Sequence, residues 1–119
     1  MTASSVLIGL VALEHLAFFV LESFLFRTPL GLKVFKLTPQ AAEANAVFAA
    51  NQGVYNAFLA AGLVWGLTAA PETAPALKTF FLACVIVAGL VGGATASRSI
   101  WLVQALPALV ALVLLKAGR

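Results

Sequence analysis

Four long apolar runs constrain this chain more than any other feature of its sequence. They cover residues 6–26, 46–68, 77–96 and 100–115, and an α-helix needs roughly 20 apolar residues to cross the hydrocarbon core of a bilayer. Only 9% of the 119 residues are charged, whereas soluble domains contain about 25%. The sequence therefore predicts a single all-α integral membrane domain, an antiparallel four-helix transmembrane bundle with both termini on the same side.

The links between the apolar runs contain helix-start and helix-stop signals. Residues 27–45 form the longest link, and their short apolar and basic stretch is expected to lie in the headgroup region. Thr38 offers a capping hydroxyl directly before Pro39, which suits the first position of a helix, so a helix is expected to begin there and lead into the second run. Pro107 lies inside the fourth run and predicts a kink.

The basic residues flank the apolar runs and form no patch. This distribution favours anchoring in a lipid bilayer and argues against nucleic acid as a partner. The first and third links contain four of the seven basic residues, Arg27, Lys33, Lys36 and Arg98. Four against three is a weak signal, and it favours these links on the cytoplasmic side of a plasma (inner) membrane.

Three ionisable side chains interrupt the first apolar run. At about 100° per residue along a helix, Glu14, His15 and Glu22 fall within one arc of about 100°. Each such group costs roughly 2.5–3.5 kcal/mol near the bilayer centre, so it normally faces the interior of a bundle and indicates a functional site. One face of the first helix is therefore predicted to be polar.

The second apolar run contains neutral polar groups. On a helical wheel, Asn45, Gln52 and Asn56 form a narrow stripe of amides. Depths measured from the midpoints of the first two runs place Glu22 at the level of Asn51 and Gln52. The polar groups of two neighbouring antiparallel helices are therefore expected to meet level by level.

These side chains define a candidate polar pocket that runs from the middle of the bilayer to the face of the first link. Its predicted lining is Glu14, His15, Glu22, Asn51, Gln52, Tyr55, Asn56 and Gln104, with Arg27 and Arg98 at its rim. No converging set of metal ligands is visible, so neither a metal nor a cofactor is predicted. The alternative is that the amides only form hydrogen bonds between helices, worth about 0.6–2 kcal/mol each.

Pairs of glycines four residues apart occur in the second and third runs. Gly62 and Gly66 form one pair, and Gly89 and Gly93 form the other. This spacing lets helix backbones approach closely in lipid. Close packing within the bundle is the first interpretation, and a homo-oligomer formed through either glycine face is the second.

The first two runs resemble a known family. The segment GLVALEHLAFFVLESFLFRTPLGLKVFKLTP, followed by ANQGVYNAFLAAGLVWGL, resembles the domain-of-unknown-function family DUF1304 of small bacterial integral membrane proteins. The most distinctive parts are the Glu14-His15 pair, Glu22, and the stretch that starts at Asn51-Gln52. The resemblance implies a four-helix membrane protein and brings no defined activity with it.

Three classes of function are compatible with the predicted polar face. The first is binding or proton-coupled transport of a small solute, with Glu14 exchanging the proton; small multidrug transporters are similar in architecture. The second is an intramembrane enzyme acting on a lipid-soluble substrate, with Glu14 and His15 as general acid and base, a residue combination similar to that of sterol-isomerase-like bundles. The third is a structural or interaction protein whose polar groups only hold helices together.

Overall fold

The computed structural model describes residues 1–119 and contains helices and no β-strand. The helices are α1 (Ala3–Ser23), α2 (Pro29–Phe35), α3 (Pro39–Thr68), α4 (Ala74–Thr95) and α5 (Leu106–Lys116), with a π-helical turn, Trp101–Ala105, directly before α5. The chain is all-α, as the sequence predicted. Three of the helices, α1, α3 and α4, are long and apolar enough to cross a membrane.

The link between α1 and α3 is itself partly helical. Helix α1 ends at Ser23, three residues before the end of the first apolar run, because the backbone then turns and the Thr28 amide donates to the Leu25 carbonyl. The Thr28 hydroxyl in turn accepts a hydrogen bond from the Gly31 amide and starts α2. Helix α2 ends at Phe35, because the next residue, Lys36, has a left-handed backbone (φ 55°) that stops further helical bonding.

Helix α3 begins at the site indicated by the sequence. The Ala41 amide donates to the Thr38 hydroxyl at 3.1 Å, and Pro39 is the first residue of the helix. The predicted helix start is therefore confirmed. With 30 residues, α3 is about 45 Å long at 1.5 Å per residue, so it exceeds the hydrocarbon thickness of a bilayer.

Contacts along the chain divide it into two compact units. Unit 1 comprises residues 1–13 and 59–119, and unit 2 comprises residues 14–58. Helices α1 and α3 each contribute one part to both units. The buried core of unit 1 combines branched side chains with alanines: Ile8, Val11, Ala12, Leu63, Leu82, Val85, Ala108 and Ala111. The alanines allow helix axes to lie close together, which is how apolar helices gain packing energy without a large side-chain volume.

The four paired glycines lie against other parts of the same chain. A Cβ added at Gly62 or Gly93 would overlap an aromatic ring, that of Phe81 or Trp101 respectively. A Cβ at Gly89 would lie 2.7 Å from the backbone nitrogen of Ala105. At Gly66 the added atom would be 2.9 Å from the Lys78 side chain. These glycines therefore permit close packing within the chain, while the homo-oligomer stays a prediction.

A π-helical turn lies directly before Pro107, where the sequence predicts a kink. The Leu106 amide bonds to the Trp101 carbonyl, five residues earlier, where an α-helix would use the carbonyl four residues earlier. Proline has no N–H to give to Val103, and its ring would press on that carbonyl in a regular α-helix. Widening the preceding turn by one residue relieves this conflict. The Trp101 indole also donates to the Leu90 carbonyl at 3.1 Å, which fastens the turn to α4.

We expect Gly89→Ala to lower the free energy of unfolding by about 1–3 kcal/mol, since the Ala105 backbone must move to admit the methyl group. Gly9→Ala is the matched control, because a Cβ there meets no atom within 4 Å. It should leave stability unchanged or raise it by up to about 1 kcal/mol. Unfolding by sodium dodecyl sulfate in neutral detergent micelles measures both values, and equal effects would contradict the packing described here.

Candidate functional site

Seven of the eight side chains predicted to line the pocket belong to unit 2, and Gln104 belongs to unit 1. Within unit 2, three sets can be distinguished by burial and bonding. One is a hydrogen-bonded pair between α1 and α3, one is an acid–imidazole pair on α1, and one is a group of exposed polar side chains on α3. Each set offers different chemistry.

Glu22 and Asn56 form the hydrogen-bonded pair. The Asn56 amide nitrogen donates to a Glu22 carboxylate oxygen at 2.5 Å, and more weakly to the Gln52 carbonyl at 3.4 Å. Asn56 is only 7% exposed. The structure thus brings together two of the predicted site residues across two helices.

The partner of Glu22 corrects one expectation. Matching depths predicted Asn51 and Gln52, whereas the contact is with Asn56, about one helical turn further along α3. The cause is the direction of side chains, which lean toward the N-terminus of their own helix. On two helices that run in opposite directions, Glu22 and Asn56 therefore reach toward each other although their Cα atoms differ in level. The bond from the Ser23 hydroxyl to the Ala50 carbonyl, at 2.9 Å, follows the expected depth matching more closely.

Three residues outside the predicted pocket, Gly53, Ser23 and Glu43, take part in further contacts between α3 and residues 22–27. Gly53 lies directly under α1, where a Cβ would overlap the Ser23 hydroxyl and lie 3.1 Å from the Glu22 Cβ. Arg27, predicted at the rim, pairs with Glu43 at 3.1 Å, with both side chains largely exposed. Gly53 was detectable in principle, since a glycine among amides in an apolar helix indicates a close backbone approach.

Glu14 and His15 form the second set. His15 is fully buried, and its ring meets that of Phe18 edge to face, with centroids 5.5 Å apart. Its Nδ1 lies 4.0 Å from Oε1 of Glu14. That oxygen is buried and has no hydrogen-bond partner, although the Glu14 side chain as a whole is 25% exposed. An acceptor that is withdrawn from solvent and lacks a donor is the most unusual polar group in this part of the chain.

Asn51, Gln52 and Tyr55 form the third set, and all three are exposed. Five residues separate Asn51 from Asn56, which corresponds to about 140° around the helix. Asn51 therefore lies on a different face from Asn56, whereas Gln52 lies only about 40° from Asn56 on the wheel and is exposed nonetheless. The predicted pocket with all eight residues stays a prediction, and among its seven side chains in unit 2 the buried or half-buried ones are those of the first two sets.

The remaining predicted residues lie in unit 1, near the link between α4 and α5. Gln104 is half buried within the π-helical turn. Arg98 is exposed in the tight connection that precedes it, where the Trp101 amide donates to the Arg98 carbonyl at 3.1 Å.

The chain is thus a helical protein whose long helices are apolar and contain a few buried polar contacts. Comparison with known proteins assigns its family. A family model described as "Protein of unknown function (DUF1304)" matches residues 9–116. The chain belongs to this family. No curated protein and no solved structure gave a significant match.

A double-mutant cycle on Glu22 and Asn56 tests the pair between the helices. Glu22→Leu, Asn56→Leu and the double variant should give a coupling energy of about 1–2 kcal/mol, because each single change removes the hydrogen bond between the two helices and leaves the other polar group without it. The free energy of unfolding in detergent micelles provides the measurement.

Asn51→Leu is the matched control for that cycle, since it makes the same chemical change at an exposed position of the same helix. It should show no coupling to Glu22→Leu beyond about 0.3 kcal/mol. A coupling as large as that of Asn56 would contradict the assignment.

Proposed function

We propose that this chain is an integral protein of the plasma (inner) membrane. In this proposal α1, α3, α4 and the π-helical turn together with α5 cross the bilayer as an antiparallel four-helix bundle, with both termini on one side. The length and hydropathy of α1, α3 and α4 support it. So do the large apolar side chains on the outside, such as Phe48, Val87 and Leu102, which are 76%, 60% and 68% exposed.

The topology is testable by labelling single cysteines with a membrane-impermeant maleimide. In a Cys84→Ala background, Thr2→Cys and Thr73→Cys should react from one side of sealed vesicles, and Gln40→Cys and Ser97→Cys from the other. All four positions are exposed, and none removes a basic residue that directs insertion. Labelling of Thr2→Cys and Gln40→Cys from the same side would contradict the proposed bundle.

We infer that the functional centre of the protein is Glu14, where a small solute binds and a proton is exchanged. One observation supports this most strongly: the Glu14 oxygen that is buried without a hydrogen-bond donor. Glu14 is one residue from the midpoint of α1, so in a bilayer it would lie about 1.5 Å from the centre of the span.

The energetics of that position favour a ligand. A buried acceptor without a donor costs about 1–3 kcal/mol, and the bilayer interior has no water to supply one. A proton or the N–H or O–H group of a solute would satisfy the Glu14 oxygen. Glu22, by contrast, already receives a donor from Asn56, so it has less to gain from a solute.

A second candidate function is acid–base catalysis on a lipid-soluble substrate. The separation of 4.0 Å between His15 Nδ1 and Glu14 Oε1 favours it, because a small movement would bring the two groups within proton-transfer distance. In that reaction Glu14 and His15 would act as the catalytic acid and base. Turnover of a lipid without net solute flux would separate this function from transport.

Transport is tested with proteoliposomes that contain a pH-sensitive dye. Guanidinium is a suitable probe, since it cannot cross lipid unaided and has hydrogen-bond donors on all sides. An inward guanidinium gradient should drive protons out of vesicles that contain the natural chain. Glu14→Gln should slow this flux at least about tenfold, because it removes a charge-assisted hydrogen bond.

Glu72→Gln is the control for the transport assay. It makes the same chemical change in the exposed turn between α3 and α4, outside the apolar helices, and should leave the flux unchanged. Equal flux through the natural chain and Glu14→Gln would refute the assignment of Glu14.

A further inference from the structure

We propose that the outer face of α2 binds the headgroup of an anionic phospholipid. The outer face consists of Leu30, Lys33 and Val34, with Lys36 directly after the helix. This inference rests on the proposed location in a membrane and is independent of the role proposed for Glu14.

The inner face of α2 fixes the orientation of the helix. Gly31 is buried, and a Cβ there would overlap the carbonyl oxygens of Leu25 and Phe26. The Phe35 ring packs on that of Phe26, with centroids 5.3 Å apart. Because Gly31 and Phe35 are four residues apart, they lie on one side of the helix and determine which residues point away.

The outer face combines apolar and cationic side chains. Leu30 and Val34 are 52% and 46% exposed and lie one turn apart. Lys33 and Lys36 are exposed and form no ion pair. Arg27 differs from these lysines, since Glu43 neutralises it.

The charge balance of the segment identifies the partner. Residues 24–38 contain three basic residues and no acidic one, so two positive charges are left without a counter-ion. Each lysine near an anionic membrane surface contributes about 1 kcal/mol. A zwitterionic headgroup offers no such gain.

The apolar half of the outer face distinguishes a lipid from other anions. A helix with exposed leucine and valine next to lysines is typical of an interfacial helix, in which the apolar residues enter the acyl boundary and the ammonium groups reach the phosphates. A free phosphate would leave Leu30 and Val34 in water. An anionic glycerophospholipid satisfies both halves of the face.

The test measures lipid binding by native mass spectrometry of the full-length chain in neutral detergent micelles. Dioleoyl phosphatidylglycerol is the anionic probe, and dioleoyl phosphatidylcholine is its zwitterionic counterpart. The natural chain should bind the anionic lipid about 30-fold more tightly, given two unpaired lysines at about 1 kcal/mol each. In the double variant Lys33→Gln/Lys36→Gln this preference should fall to about twofold or less.

The matched control is Lys116→Gln/Arg119→Gln, which removes the same net charge at the exposed C-terminus. It should keep the preference of the natural chain, and a thermal melt of each variant shows whether it is folded. Equal loss of preference in both double variants, no preference in the natural chain, or displacement of the lipid by an equal concentration of inorganic phosphate would overturn the proposal. The cysteine labelling of Gln40→Cys and Thr2→Cys tests the membrane location separately.

Discussion

The close approach of α1 and α3 at Gly53 is the constraint on which the polar contacts of unit 2 depend. Any larger residue would collide with the Ser23 hydroxyl and crowd the Glu22 side chain. With only a hydrogen there, the two backbones come near enough for the Asn56 amide to reach Glu22. A buried amide beside a half-buried carboxylate is compatible with an apolar environment when the two form a hydrogen bond, so the spacing of the backbones determines whether these polar groups are satisfied.

The sequence predicted the helices well because their signals are local. Apolar runs of sufficient length gave the long helices, and the hydroxyl of Thr38 before Pro39 marked a helix start to the residue. The pairing of Glu22 was missed by about one turn, because matching Cα depths neglects the lean of each side chain along its own helix. Such an error is correctable from sequence alone once the helix directions are known.

The inward face of α3 could not be predicted for a different physical reason. The apolar residues of α3 are distributed over all sides of the helix, so its sequence shows no contrast between a core face and a solvent face. The sequence gives the angle between Asn51 and Asn56 but no reason why Asn56 is buried and Asn51 exposed. That choice depends on the small surface at Gly53, a property of two helices together and not of one.

The π-helical turn before Pro107 limits which insertions and deletions this chain can accept during evolution. Such a turn contains one residue more than an α-helical turn would need. Loss of a single residue there would rotate everything that follows by about 100°. Ala108 and Ala111, now fully buried, would leave the core of unit 1. Substitutions can accumulate around the turn, whereas a change in its length would have to be accompanied by a new apolar face on α5.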